Sequence, residues 1–260
     1  MQCSFSGFVS VGGVGLKVCV VQTGASPGEI PCNLQGHLKL ISLAAEHGSD
    51  VVVFPELSAT GYEPSLAAKL ACGPDDARFD VIEAMSREHE MVIGIGVPLK
   101  GSAGVQIGMV IFQSGHPRRV YSKAFIHADE EPFFVAGCES PDLILRDLRI
   151  APAICYEISL PEHAARARQR GADVYLASVA KDNAGIARAL KRLGDVAKGH
   201  GMVVLMSNCV GTCDGDIGAG RTSAWDGGGA LLAQLNGRDE GILIYDTDTG
   251  DVVNVVVTTC

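Results

Sequence analysis

Residues 148–178 read LRIAPAICYEISLPEHAARARQRGADVYLAS. Two short apolar runs, Leu148–Cys155 and Val174–Ser178, flank a segment opened by Pro161 and closed by Gly171. Continuous runs of this kind are strands covered on both faces. Pro at the first turn and Gly at the end are helix start and stop signals. The stretch therefore predicts strand–helix–strand, the unit of a layered α/β fold.

The alternation continues on both sides. Upstream, Lys17–Gln22 (KVCVVQ) is a strand and Asn33–His47 a helix, with Leu34, Leu38, Ile41, Leu43 and Ala44 on one face and Gly48 as its stop. Asp50–Phe54 is a strand closed by Pro55; Asp76–Glu90 is a helix and Met91–Pro98 a strand. Val105–Gln113 and Arg119–Tyr121 read as adjacent strands. Downstream, the helix Ile186–His200 precedes the strand Met202–Asn208. A turn at Gly227–Gly229 leads into strands Ala230–Leu235, Gly241–Asp246 and Val252–Val257. These late strands have no helices between them, so the sheet is expected to be mixed. Residues 16–260 are expected to form a single domain. Residues 1–15, rich in Gly and Ser, read as a flexible extension outside the core.

Composition narrows the function classes. The 260 residues are 47% hydrophobic and 20% charged, which excludes a disordered chain. The net charge is −9, with no run of more than two basic residues, which argues against a nucleic-acid partner. No apolar run approaches the roughly 20 residues of a membrane helix, and Met1–Gly15 has no basic start for a signal peptide. A cytoplasmic protein is the expectation. Nine cysteines at irregular spacing do not make a disulfide framework. The close pair Cys209 and Cys213 lacks zinc-site spacing, so no metal is expected there.

Three polar residues stand at strand ends, where α/β folds meet their ligands. Glu56 follows the strand Asp50–Phe54 and Pro55, and a carboxylate there is costly to desolvate without a role or a partner. Lys123 follows the strand Arg119–Tyr121. Cys155 ends a strand just before a helix, where a sharp turn exposes a nucleophile. Singly, each has a bland reading: a cap or ion pair, a solvated lysine, a buried thiol. Together they supply a base, a cation for a developing oxyanion and a thiol nucleophile.

In this order the residues resemble the Glu–Lys–Cys set of the nitrilase superfamily of carbon–nitrogen hydrolases. Phe54–Leu57 with Thr60–Tyr62 resembles the base motif, Tyr121–Lys123 the lysine motif, and Ile154–Ile158 with Leu160–Glu162 the nucleophile motif. Val21–Gln22, Glu130–Gly137, Ser207–Asn208 and Ser223–Asp226 resemble further signatures. The resemblance covers roughly Leu16–Asp246. It implies a four-layer αββα sandwich, a homodimer or higher homo-oligomer, and neither metal nor organic cofactor. It implies that Glu56 is the base and Cys155 the nucleophile. Lys123 and the Tyr156 N–H would hold the oxyanion, with Glu130 as a second, positioning glutamate. Tyr62, Tyr156, Ala180 and Lys181 are the candidate substrate contacts. Lys181 could pair a substrate carboxylate, against the bland reading of a surface lysine. His127 reads as a surface or hydrogen-bonded histidine. Tyr156 after the nucleophile, where nitrilases carry Trp, favours a small amide or N-carbamoyl substrate. A nitrilase, an acyltransferase or a silent binding protein are the alternatives.

Overall fold

The computed structural model describes residues 15–138 and 142–257. The predicted extension, Gly15 apart, lies outside them. In chain order the elements are β1 (Lys17–Gly24), α1 (Ile30–Glu46), β2 (Val51–Val53), α2 (Ala67–Leu70), α3 (Asp80–Glu88), β3 (Val92–Lys100), β4 (Val105–Phe112) and β5 (Arg119–Ser122). Then come β6 (Leu143–Leu145), β7 (Leu148–Ile154), α4 (Pro161–Gln169), β8 (Val174–Val179), α5 (Ile186–His200) and β9 (Val203–Cys213). The chain continues with β10 (Asp216–Ala219), β11 (Ser223–Trp225), β12 (Leu231–Gln234), β13 (Glu240–Asp246) and β14 (Val252–Val257).

The strands form two halves. The first runs β14-β13-β1-β2-β3-β4-β5, parallel only in its centre β1-β2-β3. The second runs β6-β7-β8-β9-β11-β12, parallel only across β7-β8-β9. The mixed sheet is as expected. The halves join where Thr23 and Gly24 pair with Cys209 and Val210. Two buried serines also tie them: Ser207 Oγ donates to Val21 O at 2.6 Å and Ser178 Oγ to Phe54 O at 2.8 Å.

Side-chain alternation explains the layers. Val18 and Val20 of β1 belong to a core that continues through the second sheet to α4 and α5. Their neighbours Cys19 and Val21 belong to a second core, beneath Leu34 and Ile41 of α1 and Ile82 of α3. Both faces of the first sheet are covered, which is why its strands read as unbroken apolar runs. The architecture is the four-layer αββα sandwich.

Several boundaries differ from the sequence reading. α3 begins at Asp80, not Asp76, because Ala77–Phe79 closes a 3₁₀ turn on which the Asp76 carboxylate accepts the Arg78 N–H. β9 runs five residues past Asn208 because β10 pairs with its tail. β6, β10 and β11 are too short to show a period.

Candidate active site

β2 ends at Val53, and Phe54 and Pro55 carry the chain into Glu56, whose side chain is fully buried. This segment lies against β3. A Cβ at Gly96 would collide with backbone atoms of Pro55, Glu56 and Leu57, so glycine is required there. From below, His37 stacks on Phe54 at 4.1 Å, and its Nε2 meets Ser58 Oγ at 2.9 Å.

Lys123 follows β5 and is also fully buried. Its Nζ donates to Glu56 Oε1 at 2.8 Å and to both Glu130 oxygens at 2.6 and 2.8 Å. Glu130 further accepts the Tyr62 hydroxyl and the His127 backbone N–H, each at 2.9 Å. Glu56 Oε2 is buried with no hydrogen-bond partner among the described residues. The Cys155 thiol favours the ionised form of this carboxylate.

Cys155 opens a 3₁₀ turn, Cys155–Ser159, at the end of β7, with φ +43°. That left-handed conformation costs a non-glycine residue on the order of 1–3 kcal/mol. Glu157 holds the turn: it accepts Ile154 N at 2.7 Å, the Tyr121 hydroxyl at 2.8 Å and Ala124 N at 2.7 Å. One buried carboxylate thus ties the turn to the residue after Lys123. The sequence reading gave Glu157 no role.

Cys155, Glu130, Tyr62, Tyr156, Ala180 and Lys181 line one cavity of about 300 Å³. It opens past His127, Tyr156, Lys181 and Arg188 into a second chamber of about 570 Å³ against α5. All the residues predicted for the site are brought together: Glu56 and Lys123 behind the thiol, the others on the wall. The structure adds Arg188, Cys213, Asp214 and Asp216 to that wall. His127 lines both chambers, with its ring edge-on to Tyr156 at 5.0 Å. The added residues sit on helix and hairpin surfaces whose placement depends on long-range pairing.

The electrostatics are those of a dry site. Burial pushes the Cys155 thiol up to about 11; Glu56 acts in the same direction, opposed by Lys181 and Lys123. Burial also raises Glu56, against the pull of Lys123. Burial disfavours the Lys123 ammonium, but Glu56, Cys155 and Glu130 outweigh it and hold the proton above the ordinary range. Among the described residues Cys19, Cys32, Cys72, Cys155, Cys209 and Cys213 form no disulfide. Among the described residues no cluster of three or more His, Cys, Asp or Glu could hold a metal, and no helix is long and apolar enough to cross a membrane.

A cysteine on a sharp turn, beside a buried carboxylate and lysine on a four-layer sandwich, defines a thiol-type site of the carbon–nitrogen hydrolase class. The carbon-nitrogen hydrolase profile matches residues 17–255, and the chain belongs to that family. The chain is 27% identical over 211 residues to the 2-oxoglutaramate amidase of Bacillus subtilis (strain 168), covering 80% of this chain and 81% of that protein. It is 26% identical over 231 residues to an (R)-stereoselective amidase of Pseudomonas sp, covering 86% and 82%. In three dimensions it is similar to a mutant amidase from Nesterenkonia sp. AN1 that shows covalent addition of the acetamide moiety of fluoroacetamide at its active site cysteine. The TM-score is 0.80 at 23% identity, over 94% of this chain and 95% of that one.

Proposed function

We propose that this protein hydrolyses small amides through a thioester on Cys155. The observation that carries the reading is the convergence of buried Glu56, Lys123 and Glu130 on a cysteine only 6% exposed at the wall of a small cavity. The amidase relatives support the substrate class.

The steps follow from the geometry. Glu56 takes the thiol proton and the sulfur attacks the amide carbon. The oxygen becomes an oxyanion beside the Lys123 ammonium and the Tyr156 N–H, one of the first amides of the turn and so free of an intrahelical partner. Glu56 returns the proton to the leaving nitrogen, and the C–N bond breaks to release ammonia and leave the thioester. Water, giving its proton to Glu56, attacks the thioester. The carboxylic acid departs and the thiol is restored. Glu130 positions Lys123. Tyr62, Tyr156, Ala180 and Lys181 surround the substrate. No step needs a metal or an organic cofactor.

The test is ammonia release from a panel of small amides, N-carbamoyl compounds and nitriles, with intact mass of the quenched enzyme. Turnover of amides with an acyl adduct on Cys155 is expected. Turnover only of nitriles, or transfer of the acyl group to an added amine in place of water, would replace the reading. Residues 16–260 are proposed to act as one domain, in the cytoplasm, as a homodimer. Sedimentation of a monomer at micromolar concentration would remove the last part.

A further inference from the structure

Two lysines approach the thiol, and they are not equivalent. The ammonium of Lys123 has three N–H groups, and the three oxygens within reach are all carboxylate: Glu56 Oε1 and both oxygens of Glu130. Two carboxylates on one ammonium leave this buried group one negative charge in excess. When Glu56 takes the thiol proton, that excess charge passes to the sulfur, in a site where Cys155 is 6% exposed. Opposing such a charge requires another cation close by.

Lys181 supplies it. It lines the same cavity of about 300 Å³ as the Cys155 thiol. Its backbone is clamped on both sides. Lys181 N donates to Asn208 Oδ1 at 2.8 Å, Asn208 Nδ2 donates to Lys181 O at 3.1 Å, and Ala219 N donates to the same carbonyl at 2.8 Å. Asn208 is itself fully buried and donates onward to Gly220 O at 2.7 Å. A buried amide spent on fixing one peptide sets the point from which the Lys181 side chain leaves the wall of the cavity. Of the two lysines, Lys181 also weighs more in drawing the thiol toward its ionised form, and the thiol in turn raises Lys181. Of the other charges that face the cavity, His127, Asp129, Arg188, Asp214 and Asp216 are exposed and so screened by water, and Asp182, half-exposed like Lys181, accepts the Gly185 N–H at 2.7 Å.

We propose that Lys181 is the counter-ion of the Cys155 thiolate, a further catalytic residue that touches the reacting sulfur and leaves Lys123 to the carboxylates and the substrate oxygen. When Glu56 takes the thiol proton, the negative charge stays on sulfur against Lys181. As sulfur bonds to the amide carbon, that charge passes to the oxygen. This rests on Cys155 being the nucleophile but not on the identity of the substrate.

The experiment is the pH dependence of Cys155 alkylation by iodoacetamide, a neutral reagent, followed by mass mapping of the Cys155 peptide. Wild type, Lys181→Met and Lys181→Arg are compared, with kcat/KM for a neutral amide measured alongside. Lys181→Met is expected to slow alkylation at fixed pH by about tenfold or more, an upward move of the apparent pKa of a unit or more. Lys181→Arg should recover most of the rate, and the neutral amide should lose kcat more than it gains KM. An unchanged profile in Lys181→Met overturns the proposal. So does a loss confined to amides bearing a carboxylate, which would make Lys181 a substrate contact. Alkylation that depends on Lys181 in a protein that turns over no amide would uphold the counter-ion and remove the amidase reading. Amide turnover lost in Cys155→Ala but untouched in Lys181→Met would do the reverse.

Discussion

The two walls that meet at Cys155 are built on opposite electrostatic plans. On the first sheet's side, Lys123 and Glu56 are fully buried, Glu130 nearly so, and the ammonium is bonded to three carboxylate oxygens. On the second sheet's side, Lys181 is half-exposed and fixed at its backbone, with its side chain free to follow the sulfur. The first wall trades stability of the fold for a preset geometry, since its charges fail together if one is removed. The second contributes charge at little cost in folding, because water still reaches it. A site divided this way should separate cleanly into substitutions that unfold and substitutions that only slow.

The deepest break is at the atom both walls serve. Cys155→Ala should reduce amide turnover by about 10⁴-fold or more, as for other nucleophiles that act within a unit. Alanine keeps the Cβ and leaves the left-handed backbone at residue 155 as it is, so the fold should survive the loss of the thiol. Steady-state ammonia release together with a urea unfolding curve checks both halves. Measurable turnover in the alanine variant would place the chemistry elsewhere.

Next comes the rigid wall. Lys123→Met leaves Glu56 and Glu130 buried without their cation. Removing one partner of a buried pair costs about 3–5 kcal/mol. The urea midpoint at pH 7.5 should fall accordingly, and part of the loss should return at lower pH as Glu56, raised by burial and no longer held down by Lys123, takes up a proton. A midpoint within error of wild type would mean that water already reaches Lys123, against its complete burial.

How much of this contrast the sequence carries depends on the range of each interaction. Glu56, Lys123 and Cys155 are legible because each ends a strand, and strand ends follow from local apolar runs. β1, α5 and β14 are legible for the same reason, with α5 and β14 found to the residue. Gly96 is not: its need to be glycine comes from Pro55–Leu57 lying on it, some forty positions away. Asn208 shows as a motif, yet its clamp on Lys181 needs β8 and β9 to be paired first. Lys181, read from the sequence as a candidate substrate contact, lines the cavity at Cys155. Whether a long side chain serves a substrate carboxylate or the sulfur depends on segments that only the fold brings together, and it leaves no trace in spacing.

The rigid wall should also be the acid-labile one. His37 supports the Glu56 segment, stacked on Phe54 and bonded to Ser58. Burial holds its ring down to about 4 from 6.5, despite the bond to Asn33 O. The native ring is therefore neutral where the unfolded ring takes a proton. Its contribution to stability is complete above pH 6.5 and is lost as pH falls toward 4. The shift bounds it at about 3 kcal/mol. Urea midpoints at pH 7.5, 6, 5 and 4 should fall less steeply in His37→Gln than in wild type, and parallel curves would show that other groups set the acid limit.

The smallest effect sharpens the comparison most. Lys181→Met removes a half-exposed cation whose backbone clamp is untouched, since Asn208 and Ala219 bond to the peptide of residue 181 and not to its side chain. Surface charges away from buried networks usually change stability by no more than about 0.5 kcal/mol. The variant should therefore unfold within roughly that margin of wild type at pH 7.5, where the thiol is protonated and makes no demand for a counter-ion. Above about pH 11, where the wild-type thiol gives up its proton, the curves should part. There the wild-type thiolate is held by both lysines, while the variant must hold it against Glu56 and Glu130 with Lys123 as its one buried cation. The sign is fixed by burial: Cys155 titrates near 11 with both lysines in place and higher without Lys181. The native variant thus refuses deprotonation that the unfolded chain undergoes from about 9, and it loses stability faster with rising pH. Equal midpoints at neutral pH that stay equal at about pH 11.5 would mean the second wall carries no charge that the sulfur feels.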